Sequence, residues 1–257
     1  MVARAGTDTV RIAELTATLS YASDLGLGQP MAHCMRQTVV ALRLADLAGA
    51  SGRELEATYY LGRRMNVYCH ADAAEQARWF GDDISMKSDT FDLLDMSTAR
   101  MVAFMVRRVG SHGSGVARAR RLAAFPVAGM KQVLSFATTH CTLGSQFAEQ
   151  IGLDEAVCTA IRQGYEQWDG KGYPSHLRGE EICLPARLVQ LAGPVEVVAR
   201  RRGVEAAVAV TPGAESGAAG LAPGCSWRRK RHLAAAMVMT GFARRAARPG
   251  TAPRQEP

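Results

Sequence analysis

Apolar residues recur at helical spacing through most of the first 210 residues, and this pattern predicts helices separated by short breaks. Alternating apolar and polar runs, which are typical of half-buried strands, are scarce. We therefore predict an all-α protein that folds as a compact helical bundle. The predicted helices cover residues 30–49, 55–69, 98–109, 131–150, 155–166 and 185–202.

Helix boundaries are marked by residues that favour the ends of helices. Pro30 and Pro185 suit a first helical turn, because proline lacks the N–H group that would be left unpaired there. Gly152 suits the residue after a helix, and Asp154 can cap the next helix through its carboxylate. Arg63 and Arg64 lie among apolar neighbours, so if their helix is buried we expect both charges to reach water or find a partner.

The composition changes abruptly at Thr211. Of the 47 residues from there to the end, 6 are Gly, 11 Ala, 5 Pro and 7 Arg, and the apolar periodicity is largely lost. Such a segment buries too little apolar surface to order itself. We expect three parts: an N-terminal segment over residues 1–28, a helical domain over 29–205, and a basic, disordered tail over 206–257.

Charge, hydropathy and cysteine content narrow the function. Residues 211–257 carry eight basic and two acidic groups, so the other 210 residues hold 23 basic and 22 acidic groups and are nearly neutral. No apolar run approaches the roughly 18 residues of a membrane span. The N-terminus also lacks the apolar run that is typical of a secretory signal. We therefore expect a cytoplasmic protein with no membrane partner, whose six cysteines are packing residues.

The segment from Tyr165 to Pro174 is the most specific motif in the chain. It reads Tyr-Glu-Gln-Trp-Asp-Gly-Lys-Gly-Tyr-Pro, and a Gly-Glu-Glu-Ile run and an Ala-Arg pair follow it. This order closely resembles the signature of HD-GYP domains, which are bacterial metal-dependent phosphodiesterases that hydrolyse cyclic di-GMP. The resemblance covers about residues 31–201 and implies an HD-type helical bundle around a site for two or three metal ions.

The resemblance also implies a ligand set of histidines and carboxylates for divalent iron or manganese, cations that activate water for attack on a phosphodiester. His33 and His140 match the family's two lone histidines. By spacing, five other ligand positions hold different residues, namely Met65, Asn66, Gly164, Tyr165 and Gly193. His70 and Asp72 lie near the expected His-Asp pair and could belong to an altered ligand set. Alternatively, His33 and His140 are hydrogen-bonded core residues, and His70 and Asp72 end a solvated helix.

The loop residues are the candidates for ligand binding. In the family the Gly-Tyr-Pro loop and the arginine that follows border the substrate phosphates, which implies roles for Lys171, Gly172, Tyr173, Pro174 and Arg187. A cation beside glycines suits contact with an anion. The alternative is that Lys171 and Arg187 pair with Glu180 or Glu181 on a solvated surface.

Two functions remain open at this stage. The first is a degenerate, non-catalytic signalling module that binds a nucleotide, a cyclic dinucleotide or a protein partner. Under this hypothesis no residue has a catalytic role and the protein holds no cofactor. The second is a metal-dependent phosphodiesterase that uses His33, His70, Asp72 and His140, with divalent iron or manganese. A DNA partner would require a fused module, because the chain contains no helix-turn-helix pattern.

Overall fold

The computed structural model describes residues 11–64, 71–91, 98–111 and 113–207. Within these ranges the chain forms ten α-helices and no strand. The helices are α1 (Ile12–Gly26), α2 (His33–Ala48), α3 (Gly52–Arg64), α4 (Ala73–Phe80), α5 (Asp83–Phe91), α6 (Thr98–Arg108), α7 (Gly115–Ala124), α8 (Met130–Gln150), α9 (Glu155–Arg162) and α10 (Leu184–Arg202). The all-α prediction is confirmed.

The predicted helix ends are formed by local hydrogen bonds. Asp154 accepts from the backbone N–H of Ala156 at 2.8 Å and so caps α9 as predicted. Gly49 ends α2 in a left-handed conformation, with φ of 76°. Helix α9 ends at Arg162, four residues earlier than predicted, because the chain then turns into the loop that begins at Gly164.

The main core lies between α2, α3, α9 and α10. Small side chains let these helices approach closely, since several alanines on their facing surfaces are fully buried. Gly62 of α3 makes the tightest approach: a β-carbon there would lie 2.7 Å from the hydroxyl of Thr38 on α2. Leu61, Leu188 and Val189 fill the space between the helices.

Helix α1 lies within the predicted N-terminal segment and packs on α2 and α3. Its buried positions are polar, and the Asp24 carboxylate accepts a hydrogen bond from the backbone N–H of Cys34 at 2.9 Å. Arg63 of α3 is buried beside α1, with its guanidinium over the Tyr59 ring and 3.4 Å from the Ser20 hydroxyl. Arg63 has therefore found partners, as expected, while the division into three parts stays a prediction.

A second and smaller core holds the middle of the chain together. It consists of Phe80, Met86, Val109 and Phe125. Phe125 begins a π-helical turn, Phe125–Gly129, that joins α7 to α8. The turn fits only because residue 129 is glycine, since a β-carbon there would lie 2.2 Å from the Phe125 ring.

Candidate metal centre and ligand loop

The Trp-Asp-Gly and Gly-Tyr-Pro motifs form one loop around a buried carboxylate. Glu166 is fully buried and accepts backbone hydrogen bonds from Ser175 at 2.6 Å and Leu177 at 3.0 Å. A backbone hydrogen bond from Tyr173 to Tyr165, 3.0 Å long, closes the loop on itself. Glu166 therefore organises the loop through amide donors, and it has no ionic partner in the part of the chain that the structure describes.

Gly172 and Gly170 are required by the shape of this loop. A β-carbon on Gly172 would lie 2.0 Å from the backbone nitrogen of Gln167. Gly170 has φ of 78°, and a β-carbon there would lie 2.3 Å from the Arg178 side chain. The peptide bond between Tyr173 and Pro174 is cis.

The two candidate cations of the loop have different surroundings. Lys171 is 80% exposed and pairs with Asp169 at 2.9 Å, rather than with Glu180 or Glu181. Arg187, at the start of α10, lies over the Trp168 ring at 5.8 Å. Its buried Nε atom has no hydrogen-bond partner among the described residues. Lys171 thus stands at the surface, whereas Arg187 is a half-buried cation fixed by an aromatic ring.

His33 lies in the interface between α2 and α10. It is fully buried, and its Nδ1 atom lies 2.6 Å from the carboxylate of Glu196 on α10. Arg36 and Arg200 share that carboxylate at 2.6 and 3.2 Å. Burial alone would raise the pKa of Glu196, but the hydrogen bonds and charges of His33 and Arg36 outweigh it and hold the pKa below its ordinary value.

Glu196 is the residue of this region that the sequence reasoning missed. Its spacing of four from Arg200 suggests a solvated helical ion pair, and only the packing of α10 on α2 buries it. Gly193 stands at a predicted ligand position, and Glu196 lies three residues later on the same face of one helix. This spacing was the signal in the sequence for Glu196.

His140 of α8 lies between two other side chains. Its Nε2 atom is 3.3 Å from the carboxylate of Asp72, and its Nδ1 atom is 3.3 Å from the hydroxyl of Tyr165. Burial would raise the pKa of Asp72, but the hydrogen bond and charge of His140 outweigh it, so that the pKa lies below its ordinary value. The structure therefore brings together two of the predicted site residues, Asp72 and His140.

The structure describes three of the five positions at which the sequence predicts replaced ligands. The hydroxyl of Tyr165 lies 3.3 Å from Nδ1 of His140. A side chain at Gly164 would instead meet Leu61 of the main core at 3.5 Å, and one at Gly193 would meet the Gln37 amide at 3.4 Å. His70, Met65 and Asn66 lie outside the described residues.

The described residues by themselves do not assemble a two-metal centre. In the described ranges, no three His, Cys, Asp or Glu side chains converge as a cation would need. His33 is engaged by Glu196, and His140 by Asp72 and Tyr165. Among the described residues, the buried atoms without a hydrogen-bond partner include His33 Nε2 and Asp72 Oδ1.

An all-helical bundle that presents paired histidine sites beside a Gly-Tyr-Pro loop has the form of an HD domain. Consistent with this, the family model described as HD domain matches residues 130–214. A 3'3'-cGAMP-specific phosphodiesterase of Vibrio cholerae is 26% identical over 202 residues, which are 78% of this chain and 44% of that protein. A probable cyclic di-GMP phosphodiesterase of the same organism is 38% identical over 71 residues, which are 24% of this chain and 16% of that protein.

The fold is also that of a solved structure. The crystal structure of a cyclic GMP-AMP-specific phosphodiesterase from Vibrio cholerae superposes with a TM-score of 0.56 at 22% identity. The superposition covers 89% of this chain and 49% of that one. The HD-domain model thus matches one stretch of the chain, and the chain spans less than half the length of the relatives it resembles. No described helix has the length and apolar character needed to cross a bilayer.

Proposed function

We propose that the chain is a signalling module that keeps the framework of a cyclic-dinucleotide phosphodiesterase without its metal-dependent hydrolysis. The observation that supports this most is the contact of Tyr165 with His140. At the position where the family signature has an imidazole, a phenol hydroxyl lies 3.3 Å from the ring of His140. A neutral phenol is a poor ligand for a hard divalent cation and instead forms a hydrogen bond.

The ligand of this module is a cyclic dinucleotide such as 3'3'-cGAMP, the compound named for the relative that matches most of the chain. Arg187 and Lys171 would meet its phosphates, and the Gly-Tyr-Pro loop would border it. Glu166 keeps this loop in place through two backbone hydrogen bonds that need no metal ion. Binding and hydrolysis are therefore separable properties of this chain.

A working phosphodiesterase is the alternative, and one observation favours it. His33 Nε2 and Asp72 Oδ1 are buried without a hydrogen-bond partner among the described residues, a state that costs free energy unless a ligand satisfies them. With His140 and His70 they would form an altered ligand set for divalent iron or manganese, cations that would supply the activated water.

Metal analysis and substrate assays distinguish the two. Protein purified without added metal should hold well below one equivalent of iron, manganese or zinc by inductively coupled plasma mass spectrometry. It should bind 3'3'-cGAMP or cyclic di-GMP in calorimetry without hydrolysing either one in the presence of manganese. Two metal ions per chain that are lost together in His140→Ala, with turnover of either dinucleotide, would instead establish the phosphodiesterase.

A variant of the binding loop provides the control. Arg187→Gln should weaken dinucleotide binding while leaving the metal content of the protein unchanged, because Arg187 has no part in either histidine site. His33→Ala should leave dinucleotide binding nearly unchanged in the proposed module. In a metal-dependent enzyme it should lower both metal content and turnover.

A further inference from the structure

The middle of the chain is far more basic than the overall charge of the folded part suggests. Residues 96–148 contain no Asp and no Glu. They contain seven basic residues, which are Arg100, Arg107, Arg108, Arg118, Arg120, Arg121 and Lys131. An uninterrupted cationic stretch of this length creates a positive potential that attracts anions.

This stretch forms one side of a groove of about 480 Å³, away from both histidine sites. The first turn of α7 lines the groove with Ser114, Val116 and Ala117. Trp79 of α4 also lines the groove. The remaining lining residues are Arg120, Arg121 and Ala124 of α7.

The second core holds these walls in place. Trp79 packs edge to face on Phe125 at 5.5 Å, and its indole N–H donates to Gln132 at 2.8 Å. The backbone N–H of Gly110 donates to the Trp79 carbonyl at 2.8 Å, which ties the turn before α7 to α4. The groove is therefore fixed by contacts from α4, α8 and the α6–α7 turn.

Several arginines elsewhere in the protein are held by a carboxylate. Arg108 pairs with Asp89, Arg162 with Glu155, and Arg36 with Glu196. Among the described residues, neither Arg120 nor Arg121 has an acidic partner. Helix α7 begins at the groove, and no side chain caps its first turn. Unpaired guanidinium groups and free helix N–H groups thus face the same space, and both bind phosphate.

We propose that this groove binds a nucleoside phosphate, at a site separate from the HD centre. Phosphate would lie between Arg120, Arg121 and the start of α7. The flat base would lie against the apolar wall formed by Trp79, Val116 and Ala117. The site has a cationic end and an aromatic end, and its volume is about that of one nucleotide. A bare anion would contact only the cationic end, and an apolar ligand would contact only the aromatic end.

Calorimetry on the full chain with ATP, adenosine and pyrophosphate tests the proposal. ATP should bind more tightly than either pyrophosphate or adenosine, because only ATP occupies both ends of the groove. The double variant Arg120→Gln/Arg121→Gln should weaken ATP binding at least about tenfold. The matched control, Arg43→Gln/Arg53→Gln, removes two exposed arginines of α2 and α3 outside the groove and should change ATP affinity less than about twofold.

A second variant fills the groove and keeps both arginines. Ala117→Trp should weaken ATP binding and leave pyrophosphate binding close to that of the unchanged protein. The proposal is overturned if ATP affinity is the same in the groove variants as in the unchanged chain, since the basic tail or the Gly-Tyr-Pro loop would then bind ATP. It is overturned equally if the control pair loses as much affinity as the groove pair, or if pyrophosphate binds as tightly as ATP.

Discussion

The two histidine sites differ in how their charges are satisfied. On the α2–α10 side, His33 meets a buried carboxylate directly, and Arg36 and Arg200 complete a compact ionic cluster around Glu196. On the α8 side, the buried carboxylate of Glu166 supports the loop through backbone N–H groups, while His140 contacts Asp72 and Tyr165. One histidine has become part of the core, and the other remains at the meeting point of three separate segments.

This difference shows two ways in which protein groups can satisfy a buried histidine. Where a chain supplies an internal counter-charge, as Glu196 does, the histidine contributes to stability by itself. At His140 the carboxylate of Asp72 and the hydroxyl of Tyr165 lie farther away, at 3.3 Å each. The first arrangement resists change because several charges depend on one carboxylate, and the second tolerates change because its contacts are weaker.

The largest effect is expected from Glu196→Ala. It would leave His33 and Arg36 in a buried site without their counter-charge, and breaking a buried ion pair typically costs about 3–5 kcal/mol. Urea denaturation followed by circular dichroism measures the loss. Glu196→Gln, which keeps the shape and part of the hydrogen bonding, should cost clearly less. A loss below about 1 kcal/mol for Glu196→Ala would show that the cluster does not stabilise the fold.

Glu166→Ala should have the next largest effect. Two backbone N–H groups lose a charged acceptor, and hydrogen bonds to charged groups contribute about 1.5–3 kcal/mol each before the loop relaxes, so we expect about 2–3 kcal/mol in total. The same urea experiment applies, with Gln167→Ala as the exposed neighbouring control. Equal stability of Glu166→Ala and the control would contradict the organising role of Glu166.

The His140 contacts should each be worth less. Tyr165→Phe removes one hydroxyl at 3.3 Å and should cost about 0.5–1 kcal/mol, and Asp72→Asn should cost about 1 kcal/mol. The free-energy cost of the double variant should differ from the sum of the two single costs, because both residues contact one ring. Simple additivity within error would mean that His140 does not couple them.

Acidification should weaken the Glu196 cluster gradually, and this is the smallest of the expected effects on stability. The folded-state pKa of Glu196 lies below its ordinary value of 4.5, so the cluster stabilises the protein above that value and loses this contribution as the pH falls through the folded-state pKa. The difference in unfolding free energy between the unchanged protein and Glu196→Gln should therefore shrink on acidification below pH 4.5. A difference that stays constant down to the acid transition would contradict this assignment.

Helices with a regular apolar stripe could be predicted from the sequence. The segments that became α2, α8 and α10 carry such stripes, and Gly49 and Asp154 mark helix boundaries as expected. Helix α1 could not be found in this way, because its buried residues are Thr16, Ser20, Ser23 and Asp24. Helix α7 was missed although Val116, Ala119 and Leu122 recur at helical spacing, and none of its residues is buried.

The candidate site was predictable only in its local part. The loop motif specified the neighbourhood of Glu166 and the glycines, since those interactions join residues close in sequence. The pairing of Asp72 with His140, and of His33 with Glu196, joins residues far apart in sequence. No periodicity encodes such contacts. The assignment of His33, His70, Asp72 and His140 as metal ligands stays a prediction.

The close approach at Gly172 has a consequence for the evolution of this domain. A β-carbon at that position would collide with the backbone nitrogen of Gln167 at 2.0 Å, so every other amino acid would break the loop regardless of any reaction. Selection for a folded protein alone would therefore preserve this glycine whether or not the domain hydrolyses a substrate. A genome search for the tripeptide would thus report a requirement of the loop's shape, and hydrolysis has to be tested separately.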